Sequence, residues 1–309
     1  MRAAQFNRFG GPEVLEIVDL PDPHPGPGEV RIVVRAAGVN AGDQKKRQGL
    51  MDPDLPQTLG YEAAGLVDEI GDDVDGVEIG DAVFGFAPSG AAQAELAVLA
   101  AFAKVPAELD LATAASLPSA LETAARALDA VGVGDGTVVL INGASGNVGA
   151  AAAQLAVARG ARVIGVASSA SARMLEGFGV EPVAYGEGMP DRVRLLAPSG
   201  IDAAIDVAGN GILPELIALV GGPGRVVTLA DVDGARDTGV RFSRGDSGRA
   251  LYVLDAIGDL VSTGEFVLPA VRAFPLDEIR AAHRFGEQAG SHTKIVVTAD
   301  RPIAPSVAN

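Results

Sequence analysis

The spacing of apolar positions changes character near residue 119. Before it, apolar residues recur in short alternating runs. Across Glu29 to Ala36, Val30, Ile32 and Val34 alternate with Arg31, Val33 and Arg35, the near two-residue period of a strand, and the Pro/Gly-rich run Pro21 to Gly28 ahead of it reads as a loop. Ala63 to Ile70 forms a second strand-like run that ends at the acidic turn Gly71-Asp72-Asp73, and Gly80-Asp81 turns into a third, Ala82 to Phe86. Short strands, tight turns and no long helical stripe predict a mostly β unit, a small barrel or sandwich.

From Ser119 onward, strands alternate with helices. Helical spacing covers Leu121 to Val131, Val148 to Arg159, Ser171 to Phe178 and Leu213 to Val220. Between them, Thr137 to Ile141, Ala161 to Ala167, Ile201 to Val207 and Arg225 to Leu229 read as buried strands, which together predict a doubly wound parallel sheet, an α/β fold. Beyond Arg249 the pattern gives a helix to about Thr263, a strand from Val267 to Phe274, a helix from Leu276 to Phe285 and a last strand from Lys294 to Thr298. The final strands are expected to return to the first unit, so that residues 1–118 and 265–309 form the β domain and residues 119–264 the parallel-sheet domain.

A length of 309 residues suits two such cores. With 24 Lys and Arg against 40 Asp and Glu, the net charge of −16 repels nucleic acid and anionic membranes, so neither is expected as a partner. Hydrophobic residues at 48% and charged ones at 21% rule out general disorder. The absence of cysteine removes disulfides, thiol nucleophiles, thiolate zinc sites and iron–sulfur clusters, and it fits a reducing compartment. Arg159, Gly160 and Arg162 interrupt the alanine-rich stretch before it reaches membrane-spanning length, and the first residues lack the apolar core of a signal peptide. The sequence therefore predicts a soluble, cytoplasmic chain.

The segment that carries most chemical information follows the strand ending at Ile141 and Asn142. There Gly143-Ala144-Ser145-Gly146-Asn147-Val148-Gly149 opens an alanine-rich helix. A dinucleotide pyrophosphate needs backbone close enough to donate N–H bonds and gains from the positive end of a helix dipole, and the strand–turn–helix–strand order supplies both. A tight turn that packs the helix close to the strand is the other reading of the same glycines. No Gly-Lys-Ser/Thr follows, which excludes a P-loop. At the end of the second strand, Ala167-Ser168-Ser169-Ala170-Ser171-Ala172-Arg173 offers hydroxyls and a guanidinium with no carboxylate, the set that suits a ribose 2′-phosphate and hence NADPH. The alternative there is a serine cap beside a solvated arginine.

Several further motifs stand in one order along the chain. They are Gly38-Val39-Asn40 with Asp43, Leu59-Gly60-Tyr61-Glu62-Ala63-Ala64-Gly65, Gly80-Asp81-Ala82-Val83-Phe84-Gly85, Ala94-Glu95, Ala114 to Pro118 leading to Thr123-Ala124, the glycine turn at 143 to 149, and Lys294-Ile295-Val296-Val297. In these the chain resembles the zinc-independent medium-chain dehydrogenase/reductases, the quinone oxidoreductase and enoyl reductase branch, over nearly its whole length. The resemblance implies a GroES-like barrel domain joined to a Rossmann cofactor domain. It also implies that Thr123 and Val148 hold the nicotinamide half, that Ser168, Ser169, Arg173 and Tyr185 surround the adenosine phosphate, and that the loop at Leu229 and Ala230 closes over the nicotinamide. Lys294 joins this cofactor-side set, with a solvated strand-start residue as its other reading. Asn40 and Asp43 would stand at the substrate end, with a hydrogen-bonded turn as their competing reading, while Tyr61 departs from the family pattern and reads either as an acid facing the cleft or as packing between the domains.

The zinc-dependent branch carries a cysteine where Asn40 stands and a histidine where Tyr61 precedes Glu62, so no metal is expected. His24, His283 and His292 read as surface or packing residues. Without a Lewis acid the remaining chemistry is hydride transfer from NADPH to an already electrophilic quinone or α,β-unsaturated carbonyl. An enoyl-thioester reductase and a non-catalytic NADPH-binding redox sensor are the rival readings. The loops Gln44 to Gln57 and Asp231 to Gly248 are expected to line the substrate site, and an open sheet edge together with the resemblance predicts a homodimer.

Overall fold

The computed structural model describes residues 1–245, 248–288 and 293–302. His292 and part of the Asp231 to Gly248 segment lie outside the described residues. The chain divides into two compact units, one made of Met1–Ser119 with Pro269–Asn309 and the other of Ala120–Leu268.

The first unit begins with strands β1 (Arg2–Phe6), β2 (Glu16–Asp19) and β3 (Val30–Val39), followed by helix α1 (Ala41–Arg47). Strands β4 (Gln57–Thr58), β5 (Glu62–Ile70), β6 (Ala82–Phe86), β7 (Leu96–Leu99) and β8 (Ala101–Lys104) then lead to the short α2 (Leu111–Ala114). Helix α3 (Pro118–Ala130) carries the chain into the second unit.

In the second unit β9 (Val138–Asn142), α4 (Asn147–Ala158) and β10 (Arg162–Ala167) form the βαβ unit expected from the glycine turn. Next come α5 (Ala172–Gly177), β11 (Glu181–Ala184), α6 (Met189–Leu196), β12 (Ala203–Asp206) and α7 (Leu213–Val220). The unit closes with β13 (Val226–Thr228), α8 (Val232–Thr238), β14 (Arg241–Phe242) and α9 (Val253–Ser262). Its sheet is six-stranded and parallel throughout, in the order β11-β10-β9-β12-β13-β14, so the direction of winding reverses between β9 and β12. Leu140, Ile164, Val166, Ala204 and Val226 fill one buried face with Met189, Val193, Leu213 and Leu216 from α6 and α7. Burying each of the larger side chains contributes about 1.5–3 kcal/mol before chain entropy is subtracted.

The chain then returns to the first unit through β15 (Ala270–Pro275), α10 (Ile279–Gln288) and β16 (Thr293–Thr298). These complete a sheet of order β15-β16-β3-β5-β6-β8, with β7 also on β3, beside a small sheet β2-β1-β4. One edge of β3 is shared: β7 pairs with its Val30 to Val33 and β16 with its Ala36 to Val39. Register shifts against β5 fall at Arg31/Ile32 and at Val34/Ala36, the second between the stretches held by these two partners. Val30, Ile32, Val34, Val67, Val83, Leu99, Ile295 and Val297 point into one core.

Two segments read as loops contain helices. Within the Gln44 to Gln57 stretch the chain is helical through Arg47, because the Asp43 carboxylate accepts from the Asn40 amide and closes the first turn of α1 at 2.8 Å. Within Asp231 to Gly248, Asp231 accepts from the Gly234 amide at 2.8 Å and starts α8. Both are seven-residue helices, too short to leave an apolar stripe. Among the described residues no helix is long and apolar enough to cross a membrane.

Candidate functional site

In the first unit a buried polar cluster gathers at the end of β3. The Lys294 ammonium, on β16, lies 2.9 Å from Glu62 Oε1 on β5, and both side chains are almost fully withdrawn from water. Asn40 bridges them: its Nδ2 donates to Glu62 Oε1 at 2.7 Å, and its Oδ1 accepts from Lys294 Nζ. The second Glu62 oxygen accepts from the Ser119 amide at 2.7 Å. Gly38 makes room for this carboxylate, since a Cβ there would come within 2.7 Å of Glu62 Cγ. These contacts fix which way the Asn40 amide faces and use one of its two Nδ2 hydrogens. Asn40 itself is only partly covered.

Asp43 is fully buried, and its two oxygens accept from the Asn40 and Gly60 amides at 2.8 and 2.9 Å. Burial raises its carboxyl to about 6, against the pull of those two hydrogen bonds. Asp43 thus holds the Asn40 backbone and the Gly60 turn and presents nothing to solvent. Tyr61 is partly exposed, with the Lys46 ammonium 5.3 Å from its ring centroid and Lys46 Nζ donating to the Thr58 carbonyl at 3.0 Å. Lys294 is therefore buried rather than solvated, and it joins Asn40 and Glu62 in this unit. The glycine turn and the other cofactor-side candidates belong to the second unit.

Glu62, Gln93, Arg47 and His283 were not singled out from the sequence as site residues. Gln93 Nε2 donates to the Gly38 carbonyl at 3.1 Å and its Oε1 pairs with His283 Nε2 at 3.0 Å. His283 is fully buried, and its imidazole is pushed down to about 3 by loss of hydration and by the Arg47 charge. Arg47, also fully buried, donates to the Gly10 carbonyl and pairs with Glu287. The sequence signal for Glu62 was its place beside Tyr61. His283 and Arg47 gave no signal, since His283 is one polar residue on an amphipathic helix and Arg47 ends a seven-residue polar one.

In the second unit Gly143 has φ +81° and Gly149 crosses it so closely that a Cβ on Gly149 would lie 2.9 Å from Ala144 Cα and run into the Gly143 carbonyl oxygen. Gly146 caps α4 with extended backbone and no side-chain hydrogen bond, and residues 145–148 are partly exposed. The turn is thus a backbone cradle at a helix N-terminus, which fits a pyrophosphate. At the end of β10, Ser168 Oγ lies 3.0 Å from Ser171 Oγ, and the Tyr185 amide donates to the Ala167 carbonyl at 3.1 Å, which brings Tyr185 beside Ser168. Ser169, Arg173 and Tyr185 are exposed. Thr123, Leu229 and Ala230 are partly exposed, Thr123 on α3 and the other two after β13.

Residues 26–106 match the family model of the alcohol dehydrogenase GroES-like domain, and residues 147–244 match that of the zinc-binding dehydrogenases. The rat quinone oxidoreductase is 35% identical over 243 residues, covering 74% of this chain and 73% of its own. The spectinabilin polyketide synthase system protein NorB of Streptomyces orinoci is 32% identical over 94% of this chain, which spans only 14% of NorB. Among solved structures, the quinone oxidoreductase of Coxiella burnetii superposes with a TM-score of 0.83 at 32% identity, covering 97% of this chain and 99% of that one. Residues 147–244 hold neither cysteine nor histidine, and among the described residues no group of three or more His, Cys, Asp or Glu is arranged to hold a metal.

Proposed function

Because the chain belongs to the medium-chain dehydrogenase/reductase family, in its quinone oxidoreductase branch, we propose that it is an NADPH-dependent reductase that delivers hydride to a quinone or an α,β-unsaturated carbonyl without a metal. That it is an oxidoreductase follows from the family; the cofactor and acceptor are the proposal. The observation that carries it is the uncapped N-terminus of α4 above the Gly143–Gly149 crossing, a phosphate cradle beside a strand end that bears hydroxyls and Arg173 and no carboxylate. In this reading Gly143 to Gly149, Thr123, Ser168, Ser169, Arg173, Tyr185, Leu229 and Ala230 hold the nucleotide.

Bound there, reduced nicotinamide supplies the hydride. The chain's own residues orient the acceptor and answer the charge that builds on it. Asn40, whose second Nδ2 hydrogen has no partner among the described residues, donates to the acceptor oxygen as it becomes anionic. Glu62 and Lys294 keep that amide from flipping, since the carboxylate accepts only from Nδ2 and the ammonium donates only to Oδ1. Asp43 positions Asn40 through its backbone. The Tyr61 hydroxyl is available to the acceptor from the same unit. We infer a homodimer as the working form.

Steady-state rates with NADPH and with NADH, against a panel of quinones and enones, test the proposal. NADPH is expected to be preferred, chelators are expected to leave the rate unchanged, and Arg173→Ala should weaken NADPH about 10-fold while sparing NADH, a magnitude suited to an exposed arginine–phosphate contact. Equal use of both cofactors, or equal loss with both, would remove the basis of the NADPH assignment. No oxidation with any acceptor would favour a nucleotide-binding sensor.

A further inference from the structure

Asp206 ends β12 and is fully buried, yet among the described residues every partner of its side chain is a neutral donor. Its Oδ1 accepts from Asn142 Nδ2 at 2.8 Å, from the Gly209 amide at 2.9 Å and from the Ala208 amide at 3.2 Å. Its Oδ2 accepts from the Thr228 hydroxyl at 2.8 Å. Four donors match the acceptor-only valence of a carboxylate, and a buried anion is tolerated only when it is satisfied in this way. Thr228 has no freedom to act otherwise. Its Oγ1 already accepts from the Ala230 and Asp231 amides at 3.2 and 3.1 Å, so its own hydrogen goes to Asp206.

These bonds join the C-terminal ends of three adjacent strands. Asn142 ends β9 and stands opposite Asp206 in the register with β12, and Thr228 ends β13 opposite Asp206 on the other side. The winding of the sheet reverses between β9 and β12, and the crevice outside such a reversal is where open parallel sheets take their ligands. The loops so tied are close-packed. A Cβ on Gly209 would come within 2.6 Å of Ala230 Cβ, and one on Gly143 within 3.1 Å of Ala208 Cβ. Asn142 Nδ2 reaches on to Asn210 Oδ1 at 3.1 Å.

We infer that Asp206 is a positioning residue for the nucleotide crevice: acting through Thr228 and through the Ala208 and Gly209 amides, it holds the loops 207–211 and 229–231 in one arrangement against the Gly143 turn. The inference rests on the nucleotide reading above. Its energetic content is preorganisation, since loops already held need not be ordered when nucleotide binds. Asp206 is fully buried at the strand ends, with both carboxylate oxygens occupied by the chain's own donors. Its effect reaches the ligand through Leu229, Ala230 and Gly143.

Thr228→Val deletes the link to Asp206 and the acceptor for the Ala230 and Asp231 amides, whereas Thr228→Ser keeps the hydroxyl. In the nucleotide-free chain, hydrogen exchange at Ala230 and Asp231 should quicken in Thr228→Val and in Asp206→Asn, and stay as in the wild type in Thr228→Ser. NADPH affinity, read from nicotinamide fluorescence below the unfolding temperature of every variant, should fall roughly 5- to 10-fold in Thr228→Val and Asp206→Asn, with recovery in Thr228→Ser. The Thr228→Val/Asp206→Asn double variant should lose little more than either single one, because the two changes cut the same link. Unchanged exchange, or unchanged affinity with only a lower melting temperature, overturns the inference and leaves the nucleotide reading intact. A wild-type chain that binds neither NADPH nor NADH overturns the nucleotide reading, and the crevice role of Asp206 falls with it.

Discussion

Lys294 and Glu62 neutralise each other where neither reaches water, and each would be costly there alone. Lys294→Met should therefore destabilise the chain by about 3–5 kcal/mol in urea unfolding, because it leaves a buried carboxylate unpaired. Adding Glu62→Gln should recover most of that loss, since no lone charge remains; a double variant as unstable as the single one would deny that the pair is coupled. His283 and Asp43 give the same region a pH response with opposed signs. The buried imidazole titrates near 3 in the folded chain and near its ordinary 6.5 when unfolded, so its contribution is complete above pH 6.5 and is lost as pH falls toward 3. The Asp43 carboxyl, raised to about 6 from an ordinary 3.8, contributes most below pH 3.8, and that contribution is lost as pH rises through 6. Comparison with His283→Gln isolates the first effect, because Asp43 is common to both chains. Between pH 6.5 and 4.5 the wild type should lose roughly 1–3 kcal/mol more than the variant, and parallel curves would mean that His283 is not held neutral.

Among the elements, the β9–α4 crossing has the least slack. Gly149→Ala should cost about 1–3 kcal/mol and weaken NADPH, because the added methyl group must push α4 away from Gly143 and Ala144. Gly177→Ala, in α5 where a Cβ meets nothing within 4 Å, should instead stabilise by up to about 1 kcal/mol. Urea unfolding of the two variants should thus move in opposite directions, and a harmless Gly149→Ala would refute the close crossing. This crossing was legible in the sequence because strand, glycine turn, helix and second strand lie within one short stretch and each has its own period. The same holds for β6 and α7, whose bounds in the structure coincide with those read from the sequence. What escaped was short or remote. Strands β1, β2, β7, β8 and β11 and helices α1, α6 and α8 span only four to eight residues, a length at which a pattern is readable only with a strong flank or composition, as in β6 after Gly80-Asp81 and in α7, where six of eight residues are apolar. The Glu62–Lys294 pair escaped for another reason, since it exists only once β16 lies against β3, a pairing that no local pattern specifies.

For the molecule as a whole, the parallel sheet of the second unit ends in β11 on one side and β14 on the other, each with one row of backbone groups unpaired within the sheet. A two-fold partner satisfies such an edge, and light scattering at micromolar concentration should return twice the 31.2 kDa chain mass. A monomer would reject the inferred dimer. The first unit is drawn from both ends of the described chain, and this bears on the order in which the molecule is made. Synthesis runs from the N-terminus, so residues 120–268 have all been joined to the chain before Thr293 is added. Until then β3 lacks its partner over Ala36 to Val39, and Glu62 waits without its cation. The unit begun first is finished last, and a chain that ends between residues 269 and 292 holds the whole sequence of the second unit while its first unit is still open along β3 at Ala36 to Val39.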